Sequence, residues 1–154
     1  MRNYFKIFAI TVSSIALFSC ENDDDTNFVQ PNYLAGKWIP VEIGTVDSNN
    51  IMLYTPYEND AQCDLDNLLL NGDYSFSNTD FRYNGTTCDS DVTEGTYRKD
   101  GKMLVLTTTE EIDGVPTEVE KSQTLVSLTY DTMEISFTDE DTHELTFVKF
   151  SKSE

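Results

Sequence analysis

Residues 94–109 read EGTYRKDGKMLVLTTT, and residues 133–138 read MEISFT. In the first stretch two β-rich runs flank Asp100-Gly101, a dipeptide typical of tight hairpin turns. In the second stretch Met133, Ile135 and Phe137 alternate with polar residues, so that each set lies on one face of a strand. We find no long helical period in the chain. These stretches predict a fold of antiparallel strands joined by hairpins.

The same pattern continues on both sides of these stretches. Turn signals such as Gly72-Asp73 and Asp113-Gly114 separate further β-rich runs. A polar loop is expected between Ser77 and Glu94. Sequential hairpins favour an up-and-down meander that closes into an eight-stranded antiparallel barrel, because closure removes unpaired edges; a two-sheet sandwich is the alternative. We expect the eight strands at residues 36–43, 67–71, 74–77, 94–98, 102–109, 118–129, 133–138 and 143–150.

The N-terminal segment has the layout of a secretory signal. Arg2 and Lys6 precede the apolar run 7–18, which is shorter than the about 20 residues needed to cross a bilayer. The run ends in Leu17-Phe18-Ser19-Cys20, which resembles a lipobox. This resemblance implies that residues 1–19 are a signal peptide cleaved after Ser19. Cys20 would then be acylated and anchor the mature chain in a membrane.

A polar stretch follows Cys20. Residues 20–32 begin with Cys-Glu-Asn-Asp-Asp-Asp and are expected to form an acidic, lipidated tether in front of a single domain at residues 33–154. The acidic run resembles the export tag of some lipoproteins in one group of Gram-negative bacteria. It implies an outer-membrane protein at the cell surface, with the periplasmic face as the alternative. A plain solvated spacer is compatible with either location.

The chain is strongly acidic, with 28 acidic and 10 basic residues. Arg2 and Lys6 leave with the signal peptide, so the mature formal charge becomes −20. Phosphate backbones and anionic headgroups repel such a chain, so nucleic-acid binding is not expected. The acid content is interpreted as a source of solubility.

Cys63 and Cys88 are the cysteines that remain after Cys20. In an exported protein they are expected to form a disulfide, because the compartment is oxidising. A reactive or metal-binding pair is the alternative. It lacks a Cys-x-x-Cys spacing, and the single histidine, His143, lies far along the chain.

Short motifs in the domain resemble a known family. Gly36-Lys37-Trp38 resembles the Gly-x-Trp signature of lipocalins. In their order, Cys63 to Asp66, Gly72-Asp73-Tyr74, Cys88 and Gly95-Thr96-Tyr97 are similar to the lipocalin-like domain of small bacterial lipoproteins. The resemblance implies a barrel that Gly36 and Trp38 close at one end. Lipocalins commonly stack an arginine on this tryptophan; no arginine follows Arg98, so Lys149 or Lys152 would substitute.

An eight-stranded barrel has room for a packed interior or for one small ligand. Aromatic side chains on strands usually belong to the core, and a ligand cavity is the alternative interpretation. Candidate cavity-lining residues are Tyr74, Phe76, Tyr97, Phe137 and Phe147.

Other chemistry has little support in the sequence. His143 stands alone, and Asp60, Asp64 and Asp66 lack the glycine and terminal glutamate of a calcium-binding EF-hand loop. We expect no metal, no cofactor and no catalytic residues, since no Gly-x-Ser-x-Gly or comparable element frames a nucleophile. Thr132 follows Asp131 in a short match to an O-glycosylation sequon.

Two functions therefore remain open. The first is a non-enzymatic, lipid-anchored lipocalin-like domain that binds a small apolar molecule. The second is an accessory protein with a filled barrel that binds an envelope protein, using the loop between Ser77 and Glu94 fixed by Cys63 and Cys88.

Overall fold

The computed structural model describes residues 32–47, 49–139 and 142–153, and within them it contains nine β-strands and no helix. Alternating side chains and tight turns produce these strands, as the sequence predicts. The strands are β1 (Gly36–Val46), β2 (Met52–Pro56), β3 (Asn67–Leu70), β4 (Ser75–Tyr83), β5 (Cys88–Asp100), β6 (Met103–Ile112), β7 (Val115–Leu128), β8 (Thr132–Thr138) and β9 (Leu145–Ser153).

Eight of these strands close into an antiparallel barrel. From β3 to β9 each strand pairs with the next along the chain, and β1 pairs with both β3 and β9. The closing ladder extends from Lys37 opposite Ser153 to Thr45 opposite Thr146, with a bulge at Val41. The predicted eight-stranded up-and-down barrel is confirmed, and the sandwich is excluded.

The ninth strand, β2, is an addition that the sequence did not predict. It pairs with the second half of β1, from Glu42 opposite Pro56 to Val46 opposite Met52. Strand β3 pairs with the first half of the same edge, from Gly36 to Trp38. Strands β2 and β3 therefore share one edge of β1, and residues 57–66 form an excursion between them.

The prediction of a polar loop between Ser77 and Glu94 is wrong. Strand β4 continues to Tyr83 and β5 already begins at Cys88, so this segment is a long hairpin with a short loop at residues 84–87. The inner face of this hairpin is polar, with Asn78, Asp80 and Thr93 in the cavity wall, whereas its few apolar side chains, Phe81, Tyr83 and Val92, face outward. The segment therefore lacks the apolar inner face by which a barrel strand is recognised in sequence.

The turn after β3 also differs from the prediction. The Asn71 N–H donates to Ser75 O at 2.9 Å, and the Tyr74 N–H donates to Asn71 O at 3.1 Å. The loop thus has three residues, 72–74, and Tyr74 takes the left-handed conformation with φ 69°. In the β6–β7 hairpin Asp113 and Gly114 both have positive φ and form a two-residue turn, so β7 begins at Val115 rather than at the expected Glu118.

The packed core fills one end of the barrel. Its side chains come from the inward-facing positions of most strands and from the segment that leads into β1. Seven buried members of it are Leu34, Trp38, Leu70, Tyr97, Leu104, Leu125 and Met133.

The expected signal peptide, residues 1–19, lies outside the described residues, as do Cys20 and all of the expected tether except Asn32. Within the described residues, no helix has the length and apolar character needed to cross a membrane.

Candidate ligand-binding cavity

Trp38 closes one end of the barrel. Its side chain has no exposed surface, and its indole N–H donates to the Leu34 carbonyl at 2.7 Å. The Nζ of Lys152 lies 4.9 Å from the centre of the Trp38 ring, a cation–π distance. Lys152 therefore occupies the place expected for a basic residue. Lys149 instead contacts the Tyr54 ring on the outer face, at 3.5 Å.

Gly36 makes this arrangement possible. Its φ is +147°, a conformation that residues with a side chain rarely adopt. A Cβ atom at this position would lie 2.1 Å from Cε of Lys152. The glycine of the Gly-x-Trp motif thus leaves room for the lysine that covers the tryptophan.

The other end of the barrel is hollow. It holds a cavity of about 430 Å³, which is within the range of small-molecule sites. The deep lining is apolar and comes from β1, β3, β4, β6, β8 and β9. Its apolar residues are Pro40, Ile43, Leu68, Phe76, Leu106, Ile135, Phe137, Val148 and Phe150.

The lining becomes polar toward the open end of the barrel, and three strands show the same gradient. Along β4 the inward residues are Phe76, Asn78 and Asp80; along β6 they are Leu106, Thr108 and Glu110; along β7 they are Leu125, Gln123 and Lys121. An apolar interior with a polar mouth suits a ligand that has a mostly apolar body.

The excursion at residues 57–66 forms part of the wall. Beyond its pairing with β3, strand β4 exposes backbone N–H groups that no neighbouring strand accepts. The Phe81 N–H donates to Asp66 Oδ1 at 2.6 Å, and the Tyr83 N–H donates to Asp60 Oδ2 at 2.7 Å. Two carboxylates therefore satisfy the strand edge here.

The Cys63–Cys88 disulfide fastens this excursion to the first residue of β5, with a Cα–Cα distance of 5.6 Å. The predicted disulfide is confirmed. It ties the excursion to the β4–β5 hairpin, where Cys88 pairs with Tyr83, so it holds this part of the wall together near the mouth of the cavity.

Burial and neighbouring charges at the mouth raise two pKa values. Burial raises the pKa of Asp80, and the nearby Asp66 carboxylate raises it further, whereas Arg82 acts in the opposite direction. Burial also raises the pKa of Tyr57, whose hydroxyl donates to Asp66 Oδ2 at 2.9 Å. The mouth is thus a partly buried region of negative electrostatic potential.

The five aromatic residues proposed for the cavity occupy different places. Phe76 and Phe137 lie in the lining. Tyr97 lies in the packed core outside the lining, and its hydroxyl donates to Asn71 O at 2.7 Å. Tyr74 is 60% exposed because it belongs to the turn, and Phe147 lies on the outer face because Thr146 and Val148 point inward. The expectation that Tyr74, Tyr97 and Phe147 line the cavity is corrected.

The remaining candidates lie away from the cavity. Thr132 is exposed at the start of β8, where its hydroxyl lies 2.6 Å from that of Thr129. His143 is exposed in the turn before β9. Asp60 and Asp66 accept backbone hydrogen bonds, and the described residues contain no group of three or more His, Cys, Asp or Glu side chains arranged for a metal.

Several polar residues of the lining were not predicted from the sequence, among them Asn78, Asp80 and Gln123. Their signal was weak but present. On three strands the inward-facing set loses apolar character in the same direction along the barrel.

Solved structures similar to this chain include the following two. For an uncharacterized protein from Bacteroides eggerthii, the TM-score is 0.50 and the identity 13%, over 77% of this chain and 98% of that chain. For the bovine lipocalin allergen Bos d 2 the TM-score is 0.45 and the identity 13%, over 80% of this chain and 75% of that chain. The first similarity concerns the fold alone. No family model matches the chain, and no curated protein does.

Proposed function

We propose that this protein is a lipid-anchored, lipocalin-like binding protein that holds a small, mainly apolar molecule in its barrel and leaves it chemically unchanged. The observation that carries the proposal is the half-filled barrel. Core side chains fill the Trp38 end, while the opposite end encloses about 430 Å³ behind an apolar lining. A barrel that served only as a rigid scaffold would gain stability from a fully packed interior.

A neutral fluorescent probe, N-phenyl-1-naphthylamine, tests the cavity. The protein used is the chain from residue 20 onward with Cys20→Ser, which carries no acyl chains and needs no detergent, so neither can compete for the cavity. It should enhance the fluorescence of the probe, and this enhancement should saturate as the probe concentration rises. Leu106→Trp should abolish this binding, because Leu106 points into the cavity. Thr109→Trp on the same strand is the matched control, since Thr109 is exposed and outside the lining. Equal binding by both variants would place the probe elsewhere and refute the proposal.

Native mass spectrometry of protein purified from its own host identifies the physiological ligand. A co-purifying small molecule should be present in the parent protein and absent from Leu106→Trp. Recovery of the same molecule, unmodified after prolonged incubation, would agree with binding alone. Its steady conversion into a product would contradict the non-enzymatic part of the proposal.

The membrane anchor rests on the lipobox at Cys20. Cells fed radiolabelled palmitate should label the parent chain and fail to label Cys20→Ser. Protease added to intact cells should then remove the domain if the acidic tether directs it to the outer surface. Protection of the domain until the outer membrane is permeabilised would contradict surface exposure and favour the periplasmic face.

A second candidate function is docking of an envelope protein. The polar loop that first suggested it is a β-hairpin. A different feature favours it, because the β1–β2 hairpin carries four exposed apolar side chains near its tip, Val46, Ile51, Met52 and Leu53. Crosslinking from a photoreactive residue at position 53 in intact cells should capture a specific neighbour. Capture equal to that from exposed position 109 would argue against this candidate.

A further inference from the structure

Carboxylates dominate the mouth of the cavity. Asp66 approaches from the excursion, Asp80 from β4 and Glu110 from β6. Among the described residues that line the cavity, Lys121 is the single cation. The adjoining surface depression adds two acidic residues, Glu58 and Asp60, and one basic residue, the exposed Arg82. The entrance therefore carries an excess of negative charge.

The hydrogen-bond donors of the lining are largely engaged within the protein. Tyr57 Oη donates to Asp66, Asn67 Nδ2 donates to Leu65 O at 3.1 Å, and Asn78 Nδ2 donates to Asp80 at 3.0 Å. Because these donors are already engaged, the lining offers a ligand mainly hydrogen-bond acceptors.

Gln123 provides one further acceptor in the lining that lacks a donor. Its side chain lines the cavity, and its Oε1 is buried without a hydrogen-bond partner among the described residues. A buried acceptor without a hydrogen-bond donor destabilises the protein, so a donor on the ligand would remove this unfavourable contribution.

Burial and charge at Asp80 point in the same direction. Its carboxylate is destabilised by desolvation and by the neighbouring Asp66 and Asp91, as its raised pKa indicates. Arg82 offsets only part of this effect. A cationic group placed at the mouth would relieve the repulsion between the carboxylates, whereas an anionic group would add to it.

We infer that the cavity takes a ligand with an apolar body and a protonated amine head, with the body against the deep lining and the amine among Asp66, Asp80 and Glu110. This inference rests on the proposed function, because it assigns a ligand class to the same cavity. It excludes fatty acids and other anionic amphiphiles as preferred ligands.

The test uses three probes that share one chain, namely 1-decylamine, 1-decanol and decanoate, each below its micelle concentration at pH 7. The affinity of each probe is measured by its displacement of N-phenyl-1-naphthylamine. The protein is again the chain that starts at residue 20 and carries Cys20→Ser. Decylamine should bind at least tenfold more tightly than decanol, and decanoate should be the weakest of the three. Raising the salt concentration should reduce the differences in affinity among the three probes, because salt screens the interactions between exposed charges.

Two substitutions locate the effect. Asp80→Asn and Glu110→Gln keep the shape of each side chain and remove one charge, and each should cut the preference for decylamine over decanol by about threefold or more. Glu118→Gln is the matched control, because it removes the same charge from an exposed position on β7 outside the cavity. It should leave the preference unchanged, and thermal melts of all variants establish that they fold.

The outcomes separate the two proposals. If neither the naphthylamine nor decanol binds, the proposed function fails. If both bind but decylamine binds no better than decanol, or decanoate binds best, the amine inference is overturned and the binding function stands. An equal response of Glu118→Gln and Asp80→Asn would also overturn the inference, because net charge rather than the mouth would then set the preference.

Discussion

Replacing Cys63 and Cys88 together by serine removes the covalent link between the excursion at residues 57–66 and the start of β5. The two cysteines are 25 residues apart. Closing a loop of that length in the unfolded chain costs entropy equivalent to about 3.5 kcal/mol at 25 °C. Cys63 is half-buried and Cys88 is exposed, so the substitution opens no core cavity. The free energy of unfolding should therefore fall by about 3.5 kcal/mol, nearly all of it through the unfolded state.

Urea unfolding followed by the fluorescence of Trp38 measures this loss. The midpoint should fall while the dependence on urea stays equal or rises, since the uncrosslinked chain exposes more surface when unfolded. The melting temperature should drop by roughly 10–15 °C for a domain of this size. Reduction of the parent protein is the matched control. It should reproduce the shift, and the same reductant should leave the double variant unchanged.

A loss below about 1 kcal/mol would refute the reasoning, because the crosslink would then restrict the unfolded chain far less than its length implies. The same double variant should also release N-phenyl-1-naphthylamine faster than the parent protein. Tyr57 and Asp66 lie on the excursion, and both line the cavity. An unchanged release rate would mean that the hydrogen bonds of Asp60 and Asp66 hold the wall by themselves.

Three further predictions follow from single contacts. Gly36→Ala should destabilise the fold by about 1–3 kcal/mol through backbone strain and should displace Lys152 from Trp38. Lys152→Ala should consequently cost less in the Gly36→Ala background than in the parent, as a double-mutant cycle measures; equal costs would contradict the contact. Gln123→Leu should raise stability by about 1 kcal/mol in urea unfolding, because it removes a buried unpaired acceptor, and a loss would indicate a partner for that oxygen. Asp80→Asn should stabilise the protein at pH 7. The pKa of Asp80 is raised in the folded state, so folding favours the protonated carboxyl group. Protonated Asp80 therefore contributes to the free energy of unfolding below pH 3.8, the ordinary pKa of the group, and this contribution is lost as the pH rises through the folded-state pKa. The advantage of Asp80→Asn should therefore shrink toward pH 3, and a constant advantage across that range would refute it.

The fold could be predicted because its strands carry their own local signals. The alternation from Met133 to Thr138 and the turn at Asp113-Gly114 depend on side-chain period and backbone conformation, and both are properties of neighbouring residues. The hairpin between Ser77 and Glu94 lacked that signal. Its inner face borders the mouth of the cavity and is polar, so the segment has no apolar face toward the core and resembles a loop in sequence.

The cavity lining was harder to predict because it depends on which face of each strand turns inward. In strand β9 the outward set includes Leu145 and Phe147, and the inward set includes Val148 and Phe150. Both sets are apolar, so alternation alone cannot choose between them. Pairing with β1 makes the choice, because Ile43 lies opposite Val148.

Strand periodicity and hairpin turns are local, and from them the sequence by itself determined the barrel class. The sequence also singled out Cys63 and Cys88 as a crosslink and Trp38 as the residue that closes one end. The hollow opposite end, the acceptor-rich mouth and the place of Lys152 over Trp38 are decided only in the tertiary structure. They arise from contacts between residues far apart in the chain, such as Asp66 with Phe81 and Gly36 with Lys152. Closure of the barrel brings such residues together, and no local pattern encodes it.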